Sequence, residues 1–223
     1  ERYLTTYDDL MRGESSQARV TMNIKNSRWE RSLTMEMQSK GQEKSLVRIV
    51  APAKDKGQST LKVEDNLWNY LPKVDRTIKV PAGMMSGSWM GSHFTNDDLV
   101  QESRLSEDFT FSLKEAPSEG NGHLFVIALK PKPDAPVVWG EVVMKLREAD
   151  KLPMEITYFD EKGTLIRTMS FHDVKVLGDR SVPTRMRLTP ADKDGEYTEM
   201  IYETLTFNID IPDSTFSLQA LRR

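Results

Sequence analysis

The feature that most constrains the fold is a two-residue rhythm of apolar and polar side chains that recurs along most of the chain. In its first occurrence, apolar and polar residues alternate through Val20, Thr21, Met22, Asn23 and Ile24. Successive side chains of a β-strand point to opposite faces of a sheet, so this period predicts strands with one buried and one solvated face. The short polar turns between such runs are typical of hairpins.

About ten or eleven strands fit this pattern. Clear examples lie at residues 18–39 (a hairpin), 45–51, 109–113, 124–129, 142–146, 154–158 and 197–207. Hairpin-length turns join most of them, which favours an antiparallel meander over alternating strands and helices. We therefore predict a mainly β protein, a single domain over residues 1–223 that forms one strongly curved, half-open antiparallel β-barrel. Its concave face is either filled by an internal helix or encloses a ligand space.

Short helices are predicted to close the mouth of this barrel. Apolar residues at helical spacing indicate an amphipathic helix over residues 3–12, ended by Gly13. A second short helix is predicted to follow Thr95, because Thr and Asn suit a helix N-cap and acidic residues suit the first turn.

Composition excludes several classes of function. The chain of 223 residues carries 31 Lys and Arg against 34 Asp and Glu, a net charge of −3 with no polybasic run, so we expect no nucleic-acid partner. It contains no cysteine, which excludes disulfides, thiolate metal sites and cysteine nucleophiles. No apolar run reaches the ~20 residues needed to span a bilayer. The chain begins at Glu1, and we expect this to reflect removal of a signal peptide.

The most informative loop is an uncharged, glycine- and serine-rich stretch at residues 83–94. Its large apolar residues are Met84, Met85, Trp89, Met90 and Phe94. Connections normally run over the surface and are polar, whereas methionine on a glycine-rich backbone adapts to irregular apolar partners. These side chains either plug one end of the barrel or form a lid or docking surface for an acyl chain or an apolar partner. We call residues 81–99 the lid.

Trp68 and Tyr70 form a second candidate site. Two residues apart on a predicted strand, they point to the same face. They are either an ordinary core pair or an aromatic wall of a ligand cavity. No catalytic residues and no cofactor are predicted, since the sequence contains neither a nucleophile motif nor a phosphate-binding loop. The histidines His93, His123 and His172 show no metal-ligand spacing, and we expect no metal site.

Several segments together resemble the bacterial outer membrane lipoprotein-sorting protein family, a LolA-like group. The specific parts are Leu-Trp-Asn-Tyr-Leu-Pro at residues 67–72 and Met-Gly-Ser-His-Phe-Thr-Asn-Asp-Asp-Leu at residues 90–99. A late Ile-Pro-Asp-Ser-Thr-Phe at residues 211–216 also matches. The resemblance implies an incomplete β-barrel closed by short helices, a periplasmic location in a Gram-negative bacterium, and an apolar cavity for lipid or lipid-modified protein.

Two functions follow from these observations. The first is a periplasmic carrier, not an enzyme, that holds acyl chains against Trp68, Tyr70 and the apolar residues of the lid. The second is an adaptor for an inner-membrane, lipid-exporting transporter, with the 83–94 loop as its docking patch. The resemblance also implies an arginine that gates the cavity. Arg31 and Arg48 are strand-borne, but the sequence assigns that role to neither.

Overall fold

A computed structural model describes residues 13–101, 108–114, 124–135 and 137–222. Thirteen strands form in chain order: β1 (Ser15–Lys25), β2 (Glu30–Lys40), β3 (Lys44–Ala51), β4 (Ser59–Val63), β5 (Asn66–Leu71), β6 (Arg76–Lys79), β7 (Phe109–Lys114), β8 (Leu124–Pro131), β9 (Glu141–Arg147), β10 (Pro153–Phe159), β11 (Leu165–Leu177), β12 (Arg180–Pro190) and β13 (Tyr197–Phe207). The helix predicted at residues 3–12 lies outside the described residues.

All thirteen strands belong to one antiparallel sheet of order β6-β5-β4-β3-β2-β1-β13-β12-β11-β10-β9-β8-β7. Strands that are neighbours in sequence pair with each other, as the hairpin-length turns predict, except β6 and β7. β1 also pairs with β13, which joins the two halves of the sheet. The sheet is curled but not closed, because β6 and β7 remain its two edges.

The predicted fold class is confirmed, but the predicted count of ten or eleven strands is too low. The two edge strands pack against little: β6 has four residues and buries none of them, and β7 buries only Phe109.

The inner face of the sheet carries the main apolar core. Register places Met22 between Leu33 of β2 and Met200 of β13, and the row continues to Met186 of β12. The core runs through both halves of the sheet, from Val47 and Ile49 in β3 to Ile127 and Leu129 in β8: its strand-borne members are Ala18, Val20, Met22, Ile24, Leu33, Met35, Val47, Ile49, Phe109, Ile127, Leu129, Val142, Met144, Leu146, Ile156, Tyr158, Met169, Phe171, Val182, Leu188, Met200, Leu205 and Phe207. Methionine is frequent here, which suits a curved surface with irregular gaps.

The outer face of β3 and β4 is covered by the C-terminal segment. Ile211, Phe216 and Leu221 pack against Leu46 and Leu61 in a second buried cluster. A 3₁₀ turn (Asp213–Phe216) and a short helix (Leu218–Leu221) shape this segment.

Polar contacts hold the same segment in place. Lys44 and Lys40 donate hydrogen bonds to Asp213 and keep the pKa of its carboxyl below the ordinary value. Arg48 donates to the Ala220 carbonyl at 2.6 Å. Arg48 therefore fixes the C-terminal helix and does not face the cavity side of the sheet.

The remaining helical segments are short. The predicted helix after Thr95 is confirmed as Asn96–Gln101, and 3₁₀ turns occur at Pro72–Val74 and Ala82–Met84. The hydroxyl of Thr95 accepts from the Asp98 backbone, and the Asp98 carboxylate accepts from the Thr95 backbone. This reciprocal pair is a capping box with Asp in the place of Glu. Within the described residues, no helix combines the length and apolarity that a bilayer crossing requires.

The packing of the C-terminal segment provides the first prediction. Phe216→Ala should lower the free energy of unfolding by about 3–5 kcal/mol, since it removes a buried ring from the second cluster. Urea unfolding followed by circular dichroism measures this change. The matched control is Leu218→Ala, because Leu218 is 48% exposed and should change stability by less than about 0.5 kcal/mol. Equal effects of the two substitutions would contradict the assigned packing.

Candidate functional site

The sheet topology explains why the lid exists. β6 and β7 follow each other in sequence but form opposite edges of the sheet. The chain between them must therefore travel from one edge to the other. Within its described part, residues 89–101 lie against the inner face and contact β2, β4, β5, β11 and β13. The lid thus covers apolar inner-face residues that an open sheet would leave exposed.

Two aromatic residues of the lid point inward. Trp89 and Phe94 are buried in the main core. The Trp89 backbone donates to the Phe94 carbonyl at 2.8 Å, which makes a tight loop, and its indole donates to the Thr60 hydroxyl of β4 at 3.0 Å. A buried indole N–H needs such a partner. Thr60 therefore fixes the orientation of the largest side chain in the lid.

Arg31 of β2 holds the next turn of the lid. Its guanidinium donates to the Met90 carbonyl at 3.2 Å and pairs with Asp55 at 2.9 Å. Met90 has a left-handed backbone, with φ of 51°, and Gly91 follows at φ of 76°. Arg31, one of the two strand-borne arginines named in the sequence analysis, therefore contacts the backbone of the lid.

His93 ties the lid to the hairpin between β12 and β13. Its backbone N–H donates to the Thr198 hydroxyl at 2.9 Å, and its ring nitrogens lie 2.8 Å from that hydroxyl and 3.1 Å from Glu196. The hydrogen bond with His93, with help from the Ser27 backbone, holds the pKa of the Glu196 carboxyl below its ordinary value. His93 therefore holds the lid against β13 and the turn that precedes it.

The strongest contact of the lid is a buried ion pair. Arg167 of β11 donates two hydrogen bonds to the Asp98 carboxylate, at 2.7 and 2.5 Å, and both side chains are about nine-tenths buried. The guanidinium also stacks on Trp139 and Tyr158, at 4.6 and 4.4 Å from their ring centres. Planar, bidentate pairing of this kind is specific to arginine.

Sequence analysis did not find the Arg167–Asp98 pair. The two residues are 69 positions apart, and no local motif includes Arg167. The position of Arg167 in its strand could have indicated the pair, because an arginine on the inner face of a sheet needs a buried acidic partner. The neighbouring Asp97 has a raised pKa, chiefly because of burial and then because of Asp98.

A cavity of about 150 Å³ lies between the lid and the sheet. Its described lining is mostly apolar and includes four methionines: Met37, Met169, Met186 and Met200, with Ala18, Val47, Trp89, Phe94, Leu99, Tyr202 and Leu205. Thioether side chains rotate freely and fit ligands of variable shape. The lining suits a flexible apolar chain better than a rigid polar ligand.

Polar residues line another part of the cavity wall. Ser16, Ser39 and Ser45 stand side by side on β1, β2 and β3, in register across the three strands. The Ser16 and Ser39 hydroxyls bond each other at 2.7 Å. Gln38 and Asp98 complete the polar lining, and Asp98 is already neutralised by Arg167. This wall can hydrogen-bond an uncharged polar group but offers no free cation among its described members.

The structure brings together only some of the predicted site residues. Trp89 and Phe94 line the cavity, and Met90 packs against the same core. Met85 is half-buried, whereas Met84 is 62% exposed.

Trp68 and Tyr70 lie apart from the lid residues. Both are half-buried against the second cluster, and Trp68 pairs across the strands with Leu61 on the outer face. Lys79 lies over the Trp68 ring, and the Tyr70 hydroxyl donates to Asp75. Neither residue lines the cavity.

The cavity is lined by apolar side chains and a few hydroxyl groups. Among the described residues, no cluster of three His, Cys, Asp or Glu could hold a metal ion. Asp98, the charged residue of the described cavity lining, is engaged by Arg167. What the site offers a ligand is apolar area and a few hydroxyl groups.

Comparison with known proteins places the chain in a family. A family model described as "-like: Uncharacterized protein" matches residues 41–223, well over half of the chain. The chain belongs to that family. No curated protein matches it.

Several solved structures share the fold of this chain. An outer membrane lipoprotein-sorting protein domain from Vibrio parahaemolyticus has a TM-score of 0.84 and 23% identity, covering 100% of this chain and 96% of its own. A LolA superfamily protein from Nitrosomonas europaea gives 0.81 and 22%, with 98% and 97% covered. A DUF1329 family protein from Desulfovibrio piger gives 0.89 and 18%, with 99% and 96% covered. The predicted resemblance is therefore confirmed.

The buried ion pair yields the second prediction. Arg167→Met keeps an apolar chain between Trp139 and Tyr158 but leaves Asp98 buried and unpaired, which costs up to about 3–5 kcal/mol. Because only the lid depends on the pair, we expect faster amide hydrogen exchange in residues 89–101 than in the strands of the sheet. The control Arg147→Met breaks an exposed pair with Asp150, worth at most about 1 kcal/mol. Unchanged exchange in the lid would contradict this role.

Proposed function

We propose that this protein is a periplasmic carrier for lipid or lipid-modified protein, which holds an acyl chain between the lid and the inner face of the sheet. The observation that carries the proposal is a methionine-rich cavity under a segment that is attached by side-chain contacts rather than by a strand ladder. Related folds support it, since one solved neighbour is described as an outer membrane lipoprotein-sorting protein domain.

Apolar contact supplies the affinity in this proposal. Removing apolar surface from water contributes ~25 cal/mol per Å², before the cost of ordering a flexible chain. The acyl chain would lie against Met169, Met186 and Met200, beneath Trp89 and Phe94. These methionines come from three neighbouring strands, so a chain placed there contacts the sheet along its curvature.

We call Ser16, Ser39 and Ser45 the serine wall and propose that it sets the orientation of the ligand. A hydroxyl group that a ligand buries needs a hydrogen-bond partner, and Ser45 is a half-buried member of this wall. An ester, amide or hydroxyl head placed against Ser16, Ser39 and Ser45 meets that need. We propose that the cargo is an amphiphile whose uncharged linkage meets this wall.

Lid movement is required for loading. Ligand sites usually have volumes of ~300–1,000 Å³, so the present cavity of about 150 Å³ is the closed state of a larger one. The contacts that hold the lid are separate from the strand ladder, and the lid can therefore leave without breaking the sheet. In the open state, Met85 and Met90 join the proposed ligand contacts. Trp68 and Tyr70 do not, because they pack on the outer face.

The adaptor hypothesis has less support from the geometry. It needs the apolar side chains of the 83–94 loop at the surface, yet Trp89 and Phe94 are buried. Met84 alone among the five predicted residues is strongly exposed. A transporter that loads or unloads the carrier remains part of the proposal as a partner of the lid, with no role for a metal, a cofactor or nucleic acid.

Filling the cavity provides the third prediction. Ala18→Phe places a ring in the cavity from β1 and should abolish uptake of a fluorescent fatty acid ester, at a stability cost of about 1–3 kcal/mol. Mass spectrometry of lipid extracted from gently purified protein gives a second readout, with lipid present in the wild type and lost in the variant.

The control for this experiment is Val138→Phe, because Val138 is 64% exposed and does not line the cavity. It should retain both bound lipid and uptake. A wild-type protein with neither co-purified lipid nor uptake would contradict the proposed function.

A further inference from the structure

We propose that residues 71–84 form a docking surface for an anionic lipid bilayer, and we call them the docking segment. This inference goes beyond cargo binding, because it concerns where the protein exchanges its cargo. The docking segment begins at the end of β5, includes the 3₁₀ turns Pro72–Val74 and Ala82–Met84, and contains the edge strand β6. Nearly all of its residues are exposed, and none is buried.

Large apolar side chains are exposed along the docking segment. Leu71, Val74, Ile78 and Met84 are 36%, 60%, 46% and 62% exposed. Single exposed apolar residues are common on protein surfaces, but four within fourteen positions form a concentration. They sit on two turns and at the edge of the sheet. Such residues can insert into the headgroup region of a bilayer.

Basic residues alternate with these apolar ones. Lys73, Arg76 and Lys79 are exposed, and Arg222 donates a hydrogen bond to Thr77 from the C-terminal helix. The one acidic residue, Asp75, accepts a hydrogen bond from Tyr70.

This local charge contrasts with the rest of the chain. The whole chain carries a net charge of −3, so the docking segment is a basic area on an acidic protein. Salt bridges hold many other cations of the described residues, but none involves Lys73 or Arg76. Exposed basic groups beside apolar ones complement an anionic membrane surface, and each contributes additively to binding.

The position of the docking segment links it to the lid. The Met84 carbonyl accepts a hydrogen bond from the Asn96 side chain, and the Met85 carbonyl accepts from the Asp97 backbone. The docking segment therefore ends on the first turn of the lid helix. A bilayer that contacts Met84 lies next to the part of the lid that must move for the cavity to open.

A bilayer fits these observations better than a protein strand added to β6. Strand addition needs a long, uncharged edge, whereas β6 has four residues, two of which are basic. The apolar residues also lie on turns outside the strand, where an added strand would not reach them. A bilayer contacts the turns and the edge together.

Vesicle co-sedimentation tests this proposal. Phosphatidylcholine vesicles with 30% phosphatidylglycerol, on the order of a bacterial anionic content, should bind the wild type at least tenfold more tightly than pure phosphatidylcholine vesicles, and added salt should weaken the binding. Lys73→Gln with Arg76→Gln should reduce binding to the anionic vesicles by at least tenfold. Val74→Ser with Met84→Ser should reduce it while leaving its salt dependence in place.

The matched control is Lys162→Gln with Lys193→Gln, which removes the same charge from exposed turns on other parts of the sheet. It should bind as the wild type does. Absence of binding to anionic vesicles, or equal losses in the test and control variants, would overturn the proposal. Each variant is also assayed for uptake of the fluorescent ester, so failure of docking is distinguished from failure of the cavity.

Discussion

An open sheet with an apolar inner face must be covered, and the chain order provides the cover. Because β6 and β7 follow each other in sequence but form opposite edges, the segment between them has to run from edge to edge. That single constraint places residues 89–101 over the inner face, brings Trp89 and Phe94 into the core, and creates the cavity beneath them. The core of the sheet and the ligand space therefore share one surface.

The contacts that hold the lid differ in kind from those that hold the strands of the sheet. Backbone ladders hold the strands together, whereas side chains on four strands hold the lid: Arg31, Thr60, Arg167 and Thr198. Side-chain contacts can exchange for water or ligand one at a time, while a ladder resists local opening. In the proposed function, this division allows the cavity to open while the sheet stays folded. Exposed basic and apolar residues next to the lid suit the bilayer docking that we propose.

The sequence predicted the parts of this structure that depend on local pattern. Strand alternation identified the open antiparallel sheet, and Thr95 with Asp98 identified the lid helix. The parts it missed depend on contacts distant in sequence. Arg167 pairs with Asp98, which lies 69 positions away in the sequence. The alternation around Trp68 shows that it shares a face with Tyr70, but it does not show whether that face is the inner or the outer one. The serine wall exists only through register between β1, β2 and β3.

Locking the lid is the most direct test of the account. The chain has no cysteine, so His93→Cys with Thr198→Cys introduces the only two thiols, at positions whose side chains are in contact. With the disulfide verified by mass spectrometry, the oxidised protein should fail to take up a fluorescent fatty acid ester, and reduction should restore uptake. Equal uptake by the oxidised and reduced forms would contradict a cavity that is loaded by movement of the lid.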